Sequence, residues 1–295
     1  MNHLEAVDAK LERARGQLRR LRDDAGEFCR ERSRLILPEE CGPEECGEGR
    51  RWVYRGGESV LPLGWSIRVG EWAYNLRSAL DQLVWQLAAA YGRCAGGHGD
   101  GECPGRHSEF PIRVRRDPGR LDVRLCGVGP AARAYIESVQ PPRRPGRPSA
   151  SGGNRVGLGL GMLRDICNRD KHQTPLRASV GWTGEWPRVP GGEALPRAPR
   201  AGGQIGPGPR TGGAVRSVGR ELSMTELRYG QALLITWGGS DGRGLEFPLE
   251  FPVEAWFDDL PHWRSGGRQG APVGETLDAC MDSVELVVSR LRREL

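Results

Sequence analysis

The sequence predicts an α+β fold: a helical bundle with a small antiparallel β-sheet and disordered Gly/Pro-rich insertions. Three observations predict it. Residues 70–92, GEWAYNLRSALDQLVWQLAAAYG, place Leu76, Leu80, Leu83, Val84 and Leu87 on one helical stripe. The two ends of the chain carry matching stripes, Leu4 to Phe28 and Leu277 to Leu291, with apolar residues three and four apart. Between 176 and 253, short β-like runs alternate with glycine and proline. Hydrophobic content is only 37% of 295 residues, with 44 Gly and 22 Pro, so part of the length is not core. A single domain is expected, with a helical core over 1–175 and 275–295 and a β-rich portion over 176–260.

Helices are expected at 3–35, 70–92, 130–139, 158–173 and 275–294. The first stripe suits either a dimer arm or a helix docked on its own domain; the matching stripe at 275–294 favours docking, and a homodimer stays compatible with it. Residues 37–50, LPEECGPEECGEGR, read as an acidic loop. Arg51–Arg55 and Leu63–Val69 read as short strands, or as one strand and an extended lead-in to the second helix. Glu109–Val114 reads as a short strand or an extended segment, and Pro130 opens a helix that Gln140 and Pro141 end. Leu176–Thr183, Ser217–Met224, Thr225–Trp237 and Gly244–Val253 read as strands, with a turn at 238–244. Residues 141–157 and 187–217 read as disordered insertions.

The net charge of +5 and the pI near 8.9 admit an RNA or an acidic protein partner without requiring one. The first residues have no apolar signal region, and no apolar run approaches a membrane span, so a cytoplasmic, non-membrane protein is expected. In that compartment the eight cysteines would be thiols. Cys94, His98, Cys103 and His107 have spacings that could supply four zinc ligands, yet match no common finger; solvent-facing side chains are the preferred reading. No cofactor motif is present: GLGLGM at 157–162 lacks the Lys-Ser/Thr pair of a phosphate loop.

Chemistry concentrates in 158–174, LGLGMLRDICNRDKHQT. On a helical wheel Arg164, Asn168 and His172 form a row, and Lys171 lies near Arg164. Asp170 falls on the core face with Met162, Leu163, Ile166 and Cys167. A buried carboxylate needs a partner, so Asp170–Arg77 or Asp81–Lys171 bridges to the 70–92 helix are expected. Only Lys10 and Lys171 are lysines among 43 basic residues, which suggests a use for a compact ammonium at 171. Cys167 and His172 point in different directions and do not read as a nucleophile pair.

NLRSALDQLVWQLA at 75–88, EFPI at 109–112, IESVQP at 136–141 and LRDICNRDKH at 163–172 resemble a family of uncharacterised bacterial proteins. A remoter resemblance is to HEPN domains, helical bundles often found in RNases. Their signature is an Arg, commonly followed by Asn, with a His four to six residues after the Arg. Asn168 and His172 match its second part, and Cys167 stands at the Arg position. The resemblance implies His172 as base, with Lys171 or Arg164 in place of the missing Arg, acting without metal. Three readings stay open: a structural cap in which Asp170, Lys171 and His172 tie two helices together, a binding module, and an RNase centred on His172, Lys171 and Asn168.

Overall fold

The computed structural model describes residues 3–34, 38–41, 51–55, 60–91, 108–112, 118–141, 155–172, 174–182, 215–217, 220–226, 232–238, 253–258, 260, 264–265, 268–269 and 271–295. The helices are α1 (His3–Arg34), α2 (Leu63–Tyr91), α3 (Pro118–Arg124), α4 (Pro130–Ser138), α5 (Arg155–His172) and α6 (Val273–Leu291), followed by a 3-10 turn, Arg292–Glu294. The strands are β1 (Pro38–Cys41), β2 (Arg51–Arg55), β3 (Ala178–Trp182), β4 (Val215–Ser217), β5 (Arg220–Glu226), β6 (Ala232–Gly238), β7 (Val253–Phe257), β8 (Arg264–Ser265), β9 (Arg268–Gln269) and β10 (Ala271–Pro272). The chain divides into two compact units, one of residues 1–24, 62–178 and 256–295, the other of 25–61 and 179–255. The expected helical bundle with a small antiparallel sheet is what the chain forms.

In the helical unit, α1 buries Val7, Leu11, Ala14, Leu18 and Leu21, the stripe expected from sequence. Ion pairs on one side of that stripe join α1 to the C-terminal region: Asp8 to Arg292, Arg15 to Glu285 and Arg22 to Asp278. Each step is seven residues on both segments and runs in opposite directions, so α1 and α6 pack antiparallel in heptad register. On the other side, Asn75 Nδ2 donates to Gln17 Oε1 at 2.9 Å, and Arg68 pairs with Asp24. That again is seven residues on each helix, and α2 is also antiparallel to α1. The Trp65 indole N–H donates to the Leu21 carbonyl at 3.0 Å from a fully buried ring, whose centroid lies 5.9 Å from that of Phe257.

Helix α6 buries a second face, Thr276, Cys280, Ser283 and Val287, beside the expected stripe of Leu277, Met281, Val284, Val288 and Leu291. Helix α5 packs there through its glycine-rich half, and Gly157, Gly159, Leu160 and Gly161 are buried. A Cβ built on Gly159 would overlap the Ala279 carbonyl and Ser283 Oγ. The 157–161 glycines thus bring two helices together. Between α3 and α4, Gly127 turns the chain with φ of 79°, a conformation in which a side chain is strained.

In the other unit, five antiparallel strands take the order β1-β2-β6-β5-β4. Register sets Tyr54 opposite Leu233 and Met224 opposite Ile235. The β10–β7 pair of the three-stranded sheet β10-β7-β3 belongs to the helical unit, with Phe257 opposite Ala271.

Several sequence expectations are corrected. Leu63–Val69, read as a strand, forms the first turns of α2, because Trp65, Val69 and Trp72 repeat at helical spacing and are buried. Residues 38–41, read as loop, form β1, paired with β2. The last three residues of the 187–217 insertion form β4. Helix α5 starts at Arg155, inside the expected 141–157 insertion. The rest of 187–217, residues 142–154 and the turn at 238–244 beyond Gly238 lie outside the described residues. No helix among the described residues is long and apolar enough to cross a membrane.

Gly159→Ala is expected to lower stability by about 1–3 kcal/mol, the cost of overpacking a rigid contact, despite alanine's better helix propensity. Gly26→Ala, where among the described residues only the far end of Arg30 comes within 4 Å of the new methyl, is expected to gain about 0.5–1 kcal/mol. Urea unfolding of both variants reads the contrast; equal effects would remove the close-packing account of α5.

Candidate functional site at the end of α5

The polar residues singled out in the sequence fall into two groups, one turned inward and one outward. The inward group starts on α2, where Arg77 Nε donates to Asp81 Oδ2 at 3.2 Å, one turn along the helix. Asp81 Oδ1 accepts the backbone N–H of Phe110 at 2.8 Å. Phe110 is fully buried, and residues 108–112 have no strand partner, so this carboxylate satisfies a donor that no sheet supplies for. Glu109 completes the network, 4.0 Å from Arg77 and 3.3 Å from Arg124. The Arg77 side chain is only 14% exposed, so its guanidinium belongs to this clasp. Burial pushes the Asp81 carboxyl above its ordinary value, while the Arg77 charge and the Phe110 N–H pull it back.

Helix α5 meets the clasp through Cys167. Burial pushes its thiol up to about 11, while the charges of Arg77 and Lys171 lower it and those of Asp170 and Asp81 raise it. The charges of Arg77, Asp81, Asp170 and Lys171 thus all act on one buried thiol. Cys167, Cys280 and Cys29 are free, but Cys126 is disulfide-bonded, which corrects the expectation of eight thiols. That expectation came from compartment alone, and spacing in sequence does not reveal which sulfurs meet in space.

The outward group is Asn168, Asp170, Lys171 and His172, all exposed. Burial along α5 stops at Cys167, since the last turn runs past the packed face. Asp170 was expected as a buried carboxylate; it is exposed instead, and its carboxylate lies against α2 where a Cβ on Gly70 would overlap it. Hydration there removes the need for a bridge. Neither expected bridge forms: among the described residues, Arg77 pairs with Asp81 and Glu109, and Asp170 and Lys171 enter no ion pair. Arg164 does not extend the row towards His172, because its Nε donates to the neighbouring Asp165 at 3.0 Å. Arg169, Lys171 and His172 stand in the last turn, where cations complement the helix dipole.

Glu109, Asp165 and Gly70 are the residues sequence reasoning missed. Gly70 carried a signal, a glycine inside an apolar helical run. Glu109 and Asp165 carried none beyond their charge. Cys94, His98, Cys103 and His107 lie outside the described residues, and no cluster of metal-ligating side chains occurs among the described ones. No family model, curated protein or solved structure matches the chain.

A folded carboxyl raised above its unfolded value contributes stability that is full below the unfolded value and lost as pH rises through the folded one. Wild-type stability should carry that acid-side term from Asp81, and Asp81→Asn should lack it in melting curves across the carboxylate range. Asp81→Ala should cost about 2 kcal/mol at neutral pH by leaving the buried Phe110 N–H unpaired. An Ala variant as stable as wild type would remove the clasp.

Proposed function

We propose that this chain is a helical binding module that engages RNA through the exposed end of α5. Asn168, Lys171 and His172 make the contact. The carrying observation is that these three side chains are exposed while the neighbouring arginines are committed, Arg77 to Asp81 and Arg164 to Asp165. Lys171 supplies a compact charge for a phosphate, Asn168 a donor and an acceptor, and His172 a ring that stacks or donates. The basic net charge supports approach to a polyanion.

The second reading, a HEPN-like RNase, rests on Asn168 and His172 standing one turn apart on an exposed face. It lacks the signature cation. Cys167 occupies that position as a buried thiol, and Arg164 is held by Asp165. Binding without turnover suits this site better.

The test is fluorescence anisotropy of a single-stranded RNA oligonucleotide with the purified chain, metal-free, across a salt series. Lys171→Ala should weaken binding and lower the salt slope by about one. His172→Ala should weaken binding without lowering the melting temperature. Absence of RNA binding at low salt would overturn the reading. Cleavage by wild type that is lost in folded His172→Ala would replace it with the RNase.

A further inference from the structure

Helix α1 carries two rows of arginines, each with a seven-residue step. Arg15 and Arg22 face α6 and are matched there by Glu285 and Asp278. Arg13 and Arg20 lie on the other side, just outside the row of Gln17 and Asp24 that meets α2. Among the described residues they enter no ion pair, so this second row is unmatched. Both line a cavity of about 370 Å³ between α1 and α2, together with Gly16, Gln17, Arg68 and Glu71. Gly16 leaves its floor open, since an added methyl there would come near only the Arg19 guanidinium.

From α2 the cavity is lined by Arg68 and Glu71, and the outer face of α2 beyond Glu71 is apolar and exposed. Leu63, Ile67 and Tyr74 fall within about 40° of one another on the helical wheel, beside Glu71. They are 64%, 46% and 57% exposed. Three large apolar side chains in one stripe next to a row of unmatched cations make a surface that is neither a solvated face nor a simple anion site.

We propose that the α1–α2 groove docks an acidic amphipathic helix from a partner protein. Two adjacent antiparallel helices offer a furrow for a third, and such grooves take amphipathic helices through anchors at helical spacing. Acidic residues of the incoming helix, seven apart, meet Arg13 and Arg20, as Glu285 and Asp278 of α6 already meet Arg15 and Arg22. Its apolar residues cover Ile67 and Tyr74, and a basic residue answers Glu71. A small polyanion would use the arginines but meet Glu71 and leave the apolar stripe bare. The apolar stripe borders the end of α5, where Asp170 lies against Gly70, but the arginine row stands on α1 and the proposal does not depend on the RNA reading.

The test uses the full chain and a labelled peptide of three heptads, Leu at a and d and Glu at e and g, kept dilute enough to be monomeric. A control peptide carries Lys in place of Glu. The Glu peptide should bind and the Lys peptide should not. The double variant Arg13→Glu with Arg20→Glu should weaken binding about tenfold at low salt, as expected for reversing two rim charges. Tyr74→Ala should also weaken it, and Arg15→Ala should leave it unchanged. Circular dichroism and melting check that each variant folds, which is expected because these side chains are exposed. Equal binding of both peptides, or no effect of the double variant, would overturn the proposal. So would self-association in sedimentation that the double variant abolishes, because the occupant would then be a second copy of this chain.

Discussion

Seven residues along an α-helix turn through about 700°, almost two full turns, so residues at that spacing line up along one edge. Helix α1 uses this constraint twice. One edge carries Asp8, Arg15 and Arg22 against α6 and the turn after it, and the other carries Gln17 and Asp24 against α2. The apolar stripe of Val7, Leu11, Ala14, Leu18 and Leu21 runs between the two edges. The ion pairs along these edges are exposed, and pairs of that kind contribute little stability. Their effect is on register: a slip of one residue would break every pair on both sides while also rotating the apolar stripe. Burial provides the driving force, and the polar edges choose among otherwise similar packings.

That placement of α6 decides what α5 can be. Helix α6 is covered on its second face by the glycine-rich half of α5, and the approach is close enough that Gly159 has no room for a methyl. Each glycine in a helix interior costs up to about 1 kcal/mol relative to alanine. Close packing offsets that cost along Gly157–Gly161, where the surface is buried. Beyond Cys167 no described residue of α5 is buried, and the same helix carries charged and polar groups towards solvent. One helix therefore has two parts with different constraints, a packing half of small buried residues and a terminal turn of exposed polar ones.

The helices were legible because their periodicity reflects a core that is read locally, residue by residue. What was not legible depended on contacts distant in sequence. Leu63–Val69 contains Ile67 and Val69, which favour strands, yet Trp65 reaches the Leu21 carbonyl and Phe257, and that burial overrides local preference. The PEEC segment becomes a strand because β2 pairs with it, and four mostly polar residues carry no period to reveal this. Asp170 was placed correctly on the side of α2, but the wheel cannot show where the facing surface ends. It therefore predicted a buried pair where the structure has a hydrated carboxylate. The committed partners of Arg77 and Arg164 were equally hidden, because both bonds lie within a turn of helix and compete with longer-range pairs of similar chemistry.

The polar residues within the motif-like stretches divide by what satisfies them. Asn75 donates to Gln17, Arg77 donates to Asp81, Asp81 accepts from the Phe110 N–H, and Gln140 Nε2 donates to the Ile136 carbonyl at 2.8 Å. Each closes an internal gap: an interhelical contact, a segment without a sheet partner, or a helix end. The fold alone accounts for these residue types at these positions. Asn168, Lys171 and His172 differ, because they close no gap that the described structure presents. Cations suit a helix C-terminus, which accounts for charge in that turn. It does not account for an asparagine one turn before a histidine on the same exposed row. The proposed RNA contact would supply a reason for all three at once, at the last turn of α5 rather than at the clasp beneath it.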